Sequence, residues 1–438
     1  MEERSKKKKM SKTKKIVLIV LGVIILIILG VVLRYVLAYN GFLDKITGRK
    51  PEMKQYSVLV NDDSGLNEIA DLKNKSVGFL KTDPKAVNAE QYLQNVVKVE
   101  ADFYDDIDMM LDVLKNRITD AITLETDRLE MLKEESEEMI KNTKVIYTFE
   151  IELESEEVEV STKEITTEPF VVYISGSDSR TGIQTTARSD VNIVAVVNPG
   201  EGKILLVSIP RDTYVQLHDT TGLKDKLTHA GVYGINMSKT TIEDLLGIKI
   251  DYTIKVSFDT VVRVVDQLDG IDIESDQAMT LKAENGKVCE YVVGKQHVDG
   301  DCALRFARER KSYETGDRHR GENQQQVITS IIGRLSSSKD YLLKIPTILD
   351  IAADSFETDI SRDNVSGFIR RQLTDPIKWQ VKSISVDGTG TYEPTYSMGA
   401  NLPLYVMLPS AESITNATNQ INEYLTVAEP AEESTSED

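Results

Sequence analysis

The sequence predicts an α/β protein, with one N-terminal transmembrane helix, a small α/β domain, and a larger α/β domain built on a central mixed sheet. Three observations predict it. Ile16 to Leu33 are 18 consecutive aliphatic residues and glycines, about 27 Å as a helix and close to the thickness of a bilayer's hydrocarbon core. Beyond them, apolar runs of strand length alternate with stretches whose apolar residues recur at helical spacing. The 438 residues also exceed the usual size of a single core.

Taken in order, Arg4, Lys6 to Lys9, Lys12, Lys14 and Lys15 precede the apolar run. The positive-inside rule then makes residues 1–15 a cytoplasmic tail and 16–38 a membrane helix, with the chain from Tyr39 onward outside the cell. A cleaved signal peptide is the alternative, but the apolar run exceeds a signal core and Val36-Leu37-Ala38 matches a cleavage site weakly. Tyr39 to Pro51 is a polar juncture. In residues 52–153, Ser76 to Leu80, Val96 to Val99 and Ala121 to Leu124 read as buried strands, and Ile107 to Leu114 and Leu129 to Ile140 as helices. Leu72-Lys73-Asn74-Lys75 before a strand, and Leu114-Lys115-Asn116 before Asp120-Ala121-Ile122, resemble one lobe of a solute-binding protein. That likeness implies a sensor or docking module, with an inert spacer as the alternative, because a shared fold does not establish a ligand.

Residues 154–168 form a Glu-rich linker, or with Ile151 and Leu153 an exposed strand pair, and its charge reads as solvated surface rather than a cation site. The second domain covers 169–426. Phe170 to Ile174 is its central strand and delivers Asp178 and Arg180 at the C-terminal loop, where open α/β sheets bind ligands. Val191 to Val197 and Lys203 to Ile209 flank the turn Asn198-Pro199-Gly200-Glu201-Gly202 and read as a hairpin. Asp190 enters one strand of that hairpin and Arg211 and Asp212 leave the other, so antiparallel pairing brings the two ends together. Residues 427–438 carry five carboxylates and no apolar periodicity, a disordered tail.

The net charge of -19, from 71 acidic against 52 basic residues, argues against nucleic acid as a partner. Cys289 and Cys302 fall in the external part, where they either pair or remain two separately buried thiols. No Cys/His grouping has zinc spacing.

Acids and bases mix in short blocks: Asp178-Ser179-Arg180, Arg188-Ser189-Asp190, Pro210-Arg211-Asp212-Thr213, Arg308-Glu309-Arg310 and Gly316-Asp317-Arg318-His319-Arg320. Such mixing suits a diphosphate bound with a hard cation, since carboxylates hold the ion and guanidinium forks grip phosphate oxygens. With Lys226 to Ala230, Asp299 to Leu304 and Gln324-Gln325 between and after them, the blocks resemble the LytR-CpsA-Psr family from about Glu168 to Leu425. The resemblance implies an α/β catalytic domain. It implies that Asp178 and Asp190 coordinate Mg²⁺, that these two with Arg188 and Arg211 are catalytic, and that Arg188, Arg211, Arg308, Arg310, Arg320 and Gln324 bind the diphosphate. Turn-capping aspartates and solvated surface arginines are the ordinary alternatives. Joint use of Arg308 and Arg310 requires a loop or helix end, because residues two apart diverge on a helix. Lys226 fits a basic family position. Asn323 stands where many members carry arginine, and Arg318 or Arg320 would have to compensate.

The resemblance further implies a membrane-bound phosphotransferase that moves a glycopolymer, such as capsular polysaccharide or teichoic acid, from a polyprenyl-diphosphate carrier to a peptidoglycan hydroxyl. A polyprenyl-diphosphate-glycan pyrophosphatase and a non-catalytic wall-polysaccharide receptor or assembly factor are the alternatives. The polyprenyl tail needs an apolar channel, which Val261, Val262, Val264, Val265 and Leu268 with Val327, Ile328, Ile331, Ile332 and Leu335 would line, although such stripes are ordinarily core.

Overall fold

The structure, a computed structural model, describes residues 51–152, 161–177, 183, 185–314, 316–338, 340, 341, 344, 347, 348 and 355–426. The proposed membrane segment 16–38, Asp178 and the tail 427–438 lie outside the described residues. Among the described residues, no helix is long and apolar enough to cross a membrane.

The first domain contains strands β1 (Met53–Asn61), β2 (Ser76–Leu80), β3 (Glu100–Tyr104), β4 (Ala121–Glu125) and β5 (Thr143–Glu152), and helices α1 (Ala86–Val96), α2 (Ile107–Lys115) and α3 (Thr126–Ile140). Its sheet runs β3-β2-β4-β1-β5, with β2 parallel to β3 and β4, and β1 antiparallel to β4 and β5. The strand expected at Val96 to Val99 is absent: Val96 ends α1 and the strand begins at Glu100. This edge strand exposes Glu100, Asp102 and Phe103, so it lacks the continuous apolar run of a buried strand. Residues 153–160, in the acidic linker, lie outside the described residues. Its neighbour Glu152 ends β5, opposite Met53, while Ile165 is buried and Lys163 pairs with Asp251 at 2.8 Å, so residues 161–168 dock on the second domain.

The second domain adds strands β6 (Phe170–Ser177), β7 (Val191–Asn198), β8 (Lys203–Ser208), β9 (Tyr214–Val215) and β10 (Asp225–Lys226), followed by helices α4 (Leu227–Ala230) and α5 (Ile235–Leu246). Then come β11 (Tyr252–Ser257), α6 (Phe258–Gln267), β12 (Ile271–Ser275), β13 (Met279–Lys282), β14 (Val288–Tyr291), β15 (Gly294–Val298), α7 (Gly300–Ala307) and α8 (Asp317–Ser337). The chain continues through β16 (Phe356–Thr358), α9 (Arg362–Thr374), β17 (Gln380–Ser385), β18 (Gly388–Thr395), β19 (Gly399–Pro409) and α10 (Ala411–Leu425). The central sheet is mixed, as expected, in the order β16-β11-β6-β7-β8-β17, and β7 and β8 form the expected hairpin.

Strand alternation divides the core. Val171, Tyr173, Val194, Val196, Leu205 and Val207 pack against Ile242 and Leu246 of α5 and Ala417 and Ile421 of α10. Phe170, Val172, Ile193, Ala195, Ile204 and Leu206 face Ile328 and Ile332 of α8 and Phe368 of α9. Each strand thus places successive residues on opposite faces, and the sheet lies between two helical layers. Val265, Val327, Val261 and Ile331 pack in a third cluster around β12 to β15, so these four residues of the stripes expected to line a channel, with Ile328 and Ile332, serve as core.

The domains share a core and a buried ionic network. Val232, Met398 and Leu404 of the second domain pack with Leu59, Leu111, Leu124 and Leu132 of the first. Arg128, fully buried on α3, donates to Glu125, to the Ser397 carbonyl and to the Tyr233 hydroxyl. Lys54 bridges Asp83 at 3.0 Å and Glu125 at 2.8 Å. Burial opposes the Lys54 charge, but Glu125 and Asp83 outweigh it and raise the amine. A detached spacer would not bury such a network against its neighbour, since an unpartnered buried charge is costly.

Cys289 on β14 and Cys302 on α7 form a disulfide, with Cα atoms 5.5 Å apart. It closes a short loop onto the cluster that carries α7 toward Arg308. Replacing both cysteines with alanine should lower stability by about 2–3 kcal/mol, the order expected from loop entropy; urea unfolding of the two proteins measures it.

Candidate functional site

The site grows from the hairpin register. Ile193 pairs with Ser208, so the chain before β7 and the chain after β8 emerge side by side. There Arg211 Nη1 donates to Asp190 Oδ1 at 2.6 Å, with both side chains mostly enclosed at 14% and 16% exposure. Asp190 also accepts from the Thr228 hydroxyl at 3.5 Å, again on Oδ1, and its amide donates to the Gly176 carbonyl of β6. Buried Ser175 and Ser189 hydrogen-bond at 2.6 Å, and Asn192 donates to the Ser189 carbonyl, fixing the turn that follows Arg188. Gly231 supports that turn by close approach: a Cβ there would lie 2.4 Å from the Ala187 carbonyl and 2.8 Å from the Ser189 amide.

Arg188 points at the first domain. Its Nη1 and Nη2 donate to Glu134 of α3 at 2.6 and 2.8 Å, a bidentate fork. Glu134, Asp190 and Asp127 together raise the Arg188 guanidinium above its ordinary value. Conversely Arg188, with Arg211 and Arg310 in electrostatic reach, holds the Glu134 carboxyl below its usual range. Lys226, nearly buried, bridges Glu135 of α3 at 3.2 Å and Asp212 at 3.3 Å. Sequence reasoning named Lys226 but missed Glu134, Glu135 and Asp127. Only their shared spacing on α3 was visible, and contacts across more than fifty residues leave no local signal.

Arg308 caps α7 and Arg310 lies in the turn beyond it, the helix end that their joint use requires. Arg310 is exposed, whereas Arg308 pairs with Glu284 and stacks 4.8 Å over the Phe258 ring. Arg320 is buried in the first turn of α8 and Gln324 sits one turn later. The close seating of α8 on β8 depends on Gly321, whose Cβ would meet Ser208 Oγ at 2.8 Å. Arg318 turns away to Asp387 at 2.7 Å. Asn323 is buried and donates to the Phe306 carbonyl at the end of α7, so this side chain holds the helix that carries Arg308. The structure therefore sets the Arg188–Glu134 and Arg211–Asp190 pairs near one another, with Arg310 in electrostatic reach of Glu134. Asp178 lies outside the described residues, although β6 ends just before it.

Among the described residues no group of three or more His, Cys, Asp or Glu side chains forms a metal cluster. Mg²⁺ needs fewer, since it keeps waters and substrate oxygens and takes one or two carboxylates. Asp190, whose side-chain contacts with the described residues fall on one oxygen, fits that chemistry.

Asp127 lies two turns before Glu134 on the same face of α3. Burial pushes its carboxyl up to about 7 against the pull of Arg188. Because the folded carboxyl binds its proton more tightly than the unfolded one, stability falls as pH rises from the ordinary aspartate value of 3.8 toward about 7. Asp127→Asn should remove a slope of at most about 1.4 kcal/mol per pH unit. Urea midpoints at pH 5 and pH 8 should show the variant gaining on the wild type at the higher pH.

The LytR_cpsA_psr family profile matches residues 107–419, beginning inside the first domain. The chain is 34% identical over 200 residues to a protein of Halalkalibacterium halodurans named polyisoprenyl-teichoic acid–peptidoglycan teichoic acid transferase TagU, covering 45% of this chain and 63% of that one. It is 30% identical over 262 residues to the Bacillus subtilis transferase TagV of the same description, covering 59% and 65%. The chain thus spans slightly less than two thirds of the length of these curated relatives. The crystal structure of B. subtilis TagV superposes with a TM-score of 0.50 at 28% identity, over 59% of this chain and 98% of that one.

Proposed function

The chain belongs to the LytR-CpsA-Psr family, and from that premise we propose that it transfers a glycopolymer from a polyprenyl-diphosphate carrier to a peptidoglycan hydroxyl, leaving a phosphodiester. The observation that carries the proposal is the Arg211–Asp190 pair at the open ends of β7 and β8, with Arg188 in electrostatic reach of Asp190 and Arg310 in electrostatic reach of Glu134. Three guanidinium groups suit two adjacent phosphates better than one carboxylate or one phosphate. The names of the relatives, which refer to teichoic acid on a polyisoprenyl carrier and to peptidoglycan, support the same substrate class.

In this reading Arg188, Arg211 and Arg310 bind the diphosphate oxygens and hold the phosphorus next to the glycan open to attack. The acceptor oxygen forms a bond to that phosphorus as the bond to the lipid-side phosphate breaks, releasing polyprenyl phosphate and the hydroxyl proton. The arginines stabilise charge on the departing phosphate, which is where fixed cations contribute most. Asp190, with Asp178, would hold Mg²⁺, whose chemistry when bound is to neutralise phosphate oxygens. Residues 16–38 would anchor the protein in the membrane, with the N-terminus cytoplasmic and the catalytic domain outside, alongside the lipid-borne substrate.

The test incubates the full chain in detergent with Mg²⁺, a polyprenyl-diphosphate oligosaccharide and a peptidoglycan fragment, with products read by mass spectrometry. Wild type should yield the phosphodiester conjugate, Arg211→Ala should lower its rate at least about 100-fold, and Arg318→Ala should change it less than about twofold. Sugar phosphate without conjugate would identify a pyrophosphatase instead. Intact substrate retained on the protein would identify a receptor.

A further inference from the structure

The arginine cluster already grips an anion supplied by the chain itself. Glu134 receives both terminal nitrogens of Arg188, the same paired geometry that a phosphate group takes. Beside it Glu135 reaches Lys226, which also holds Asp212 next to Arg211. α3 thus sets two consecutive carboxylates against two cations, Arg188 and Lys226. Directly after them the helix breaks, since Ser136 leaves helical dihedrals at φ -156° and ψ 65°. Glu134 is about half exposed, with 53% of its side chain open to solvent. Its ion pair is therefore screened, and a better ligand can replace it.

We propose that Glu134 is a built-in occupant of the diphosphate seat, displaced when a polyprenyl diphosphate binds, so that α3 sets the affinity threshold of the site. This rests on the functional reading above. One guanidinium fork takes one bidentate anion at a time, so a single phosphate or carboxylate competes with Glu134 on nearly equal terms. A diphosphate engages Arg188 together with Arg211 and Arg310 and outcompetes it. The occupied seat lowers the apparent affinity for every anion by the fraction of molecules in which Glu134 is seated. Monophosphates and stray carboxylates are then excluded, and the carrier still binds.

Binding of farnesyl diphosphate and of farnesyl monophosphate to the full chain in detergent with Mg²⁺, followed by calorimetry, tests the proposal. Glu134→Gln and Glu134→Ala should each tighten both ligands about tenfold, with the monophosphate gaining at least as much as the diphosphate. Glu130→Gln, on the same helix but paired with Lys133, should bind within about twofold of wild type. Arg188→Ala should weaken the diphosphate. Unchanged or weaker binding by both Glu134 variants, while Arg188→Ala still loses affinity, would overturn the proposal and leave the diphosphate seat standing. Equal diphosphate binding by wild type and Arg188→Ala would overturn the seat, and the proposal with it.

Discussion

The antiparallel register of β7 on β8 is the constraint from which the site follows. With Ile193 opposite Ser208, Asp190 and Arg211 stand equally far beyond the last pair, and the 2.6 Å ion pair between them is a consequence of strand geometry. A shift of one residue would turn every core side chain of a strand to the opposite face. The two-sided burial of Val194, Val196, Leu205 and Val207 against α5 and α10, and of Ile193, Ala195, Ile204 and Leu206 against α8, therefore holds the register. The packing of the sheet and the charge pattern at its end are one structural fact.

The first domain extends that constraint to Arg188. The Thr186 amide donates to the Met53 carbonyl of β1, and Glu52 ties Lys255 at 2.9 Å. The segment that leads to Arg188 is thus held by the first strand of the other domain. From the same side α3 supplies Glu134, Glu135 and Asp127, while Arg128 locks the helix to Ser397 and Tyr233. Ser397 in turn meets Asp225 and His229 in a buried group beside Lys226. The family profile that begins at residue 107 accords with this physical continuity. The first domain forms a wall of the site.

Much of this was legible in the sequence, and for physical reasons. Phe170 to Ile174 of β6, Ile193 to Val197 of β7 and Ile204 to Val207 of β8 are unbroken apolar runs because both faces are covered, and Asn198-Pro199-Gly200 marks the turn between β7 and β8. From that pattern the meeting of Asp190 with Arg211 followed without any homologue, whereas the helix end at Arg308 followed only once the family resemblance required Arg308 and Arg310 to act together. The edge strand β3 was missed because its exposed Glu100 and Asp102 break the apolar signal. The partners on α3 were missed because α3 carries acids on several faces, and nothing local distinguishes Glu134, which meets an arginine, from Glu130, which meets Lys133. Asn323 looked like a lost cation, but the residue is a buried donor to the end of α7. Its role depends on tertiary contact that composition does not encode.

The most direct test of the seat is a crystal structure of the protein with a non-hydrolysable polyprenyl diphosphate analogue and Mg²⁺. The two phosphates should lie between Arg188, Arg211 and Arg310, within hydrogen-bonding distance of at least two of these guanidinium groups. Phosphates bound elsewhere, for example in the groove lined by Glu164, Asp363, Arg370 and Arg371, with the Arg211–Asp190 pair undisturbed, would contradict it.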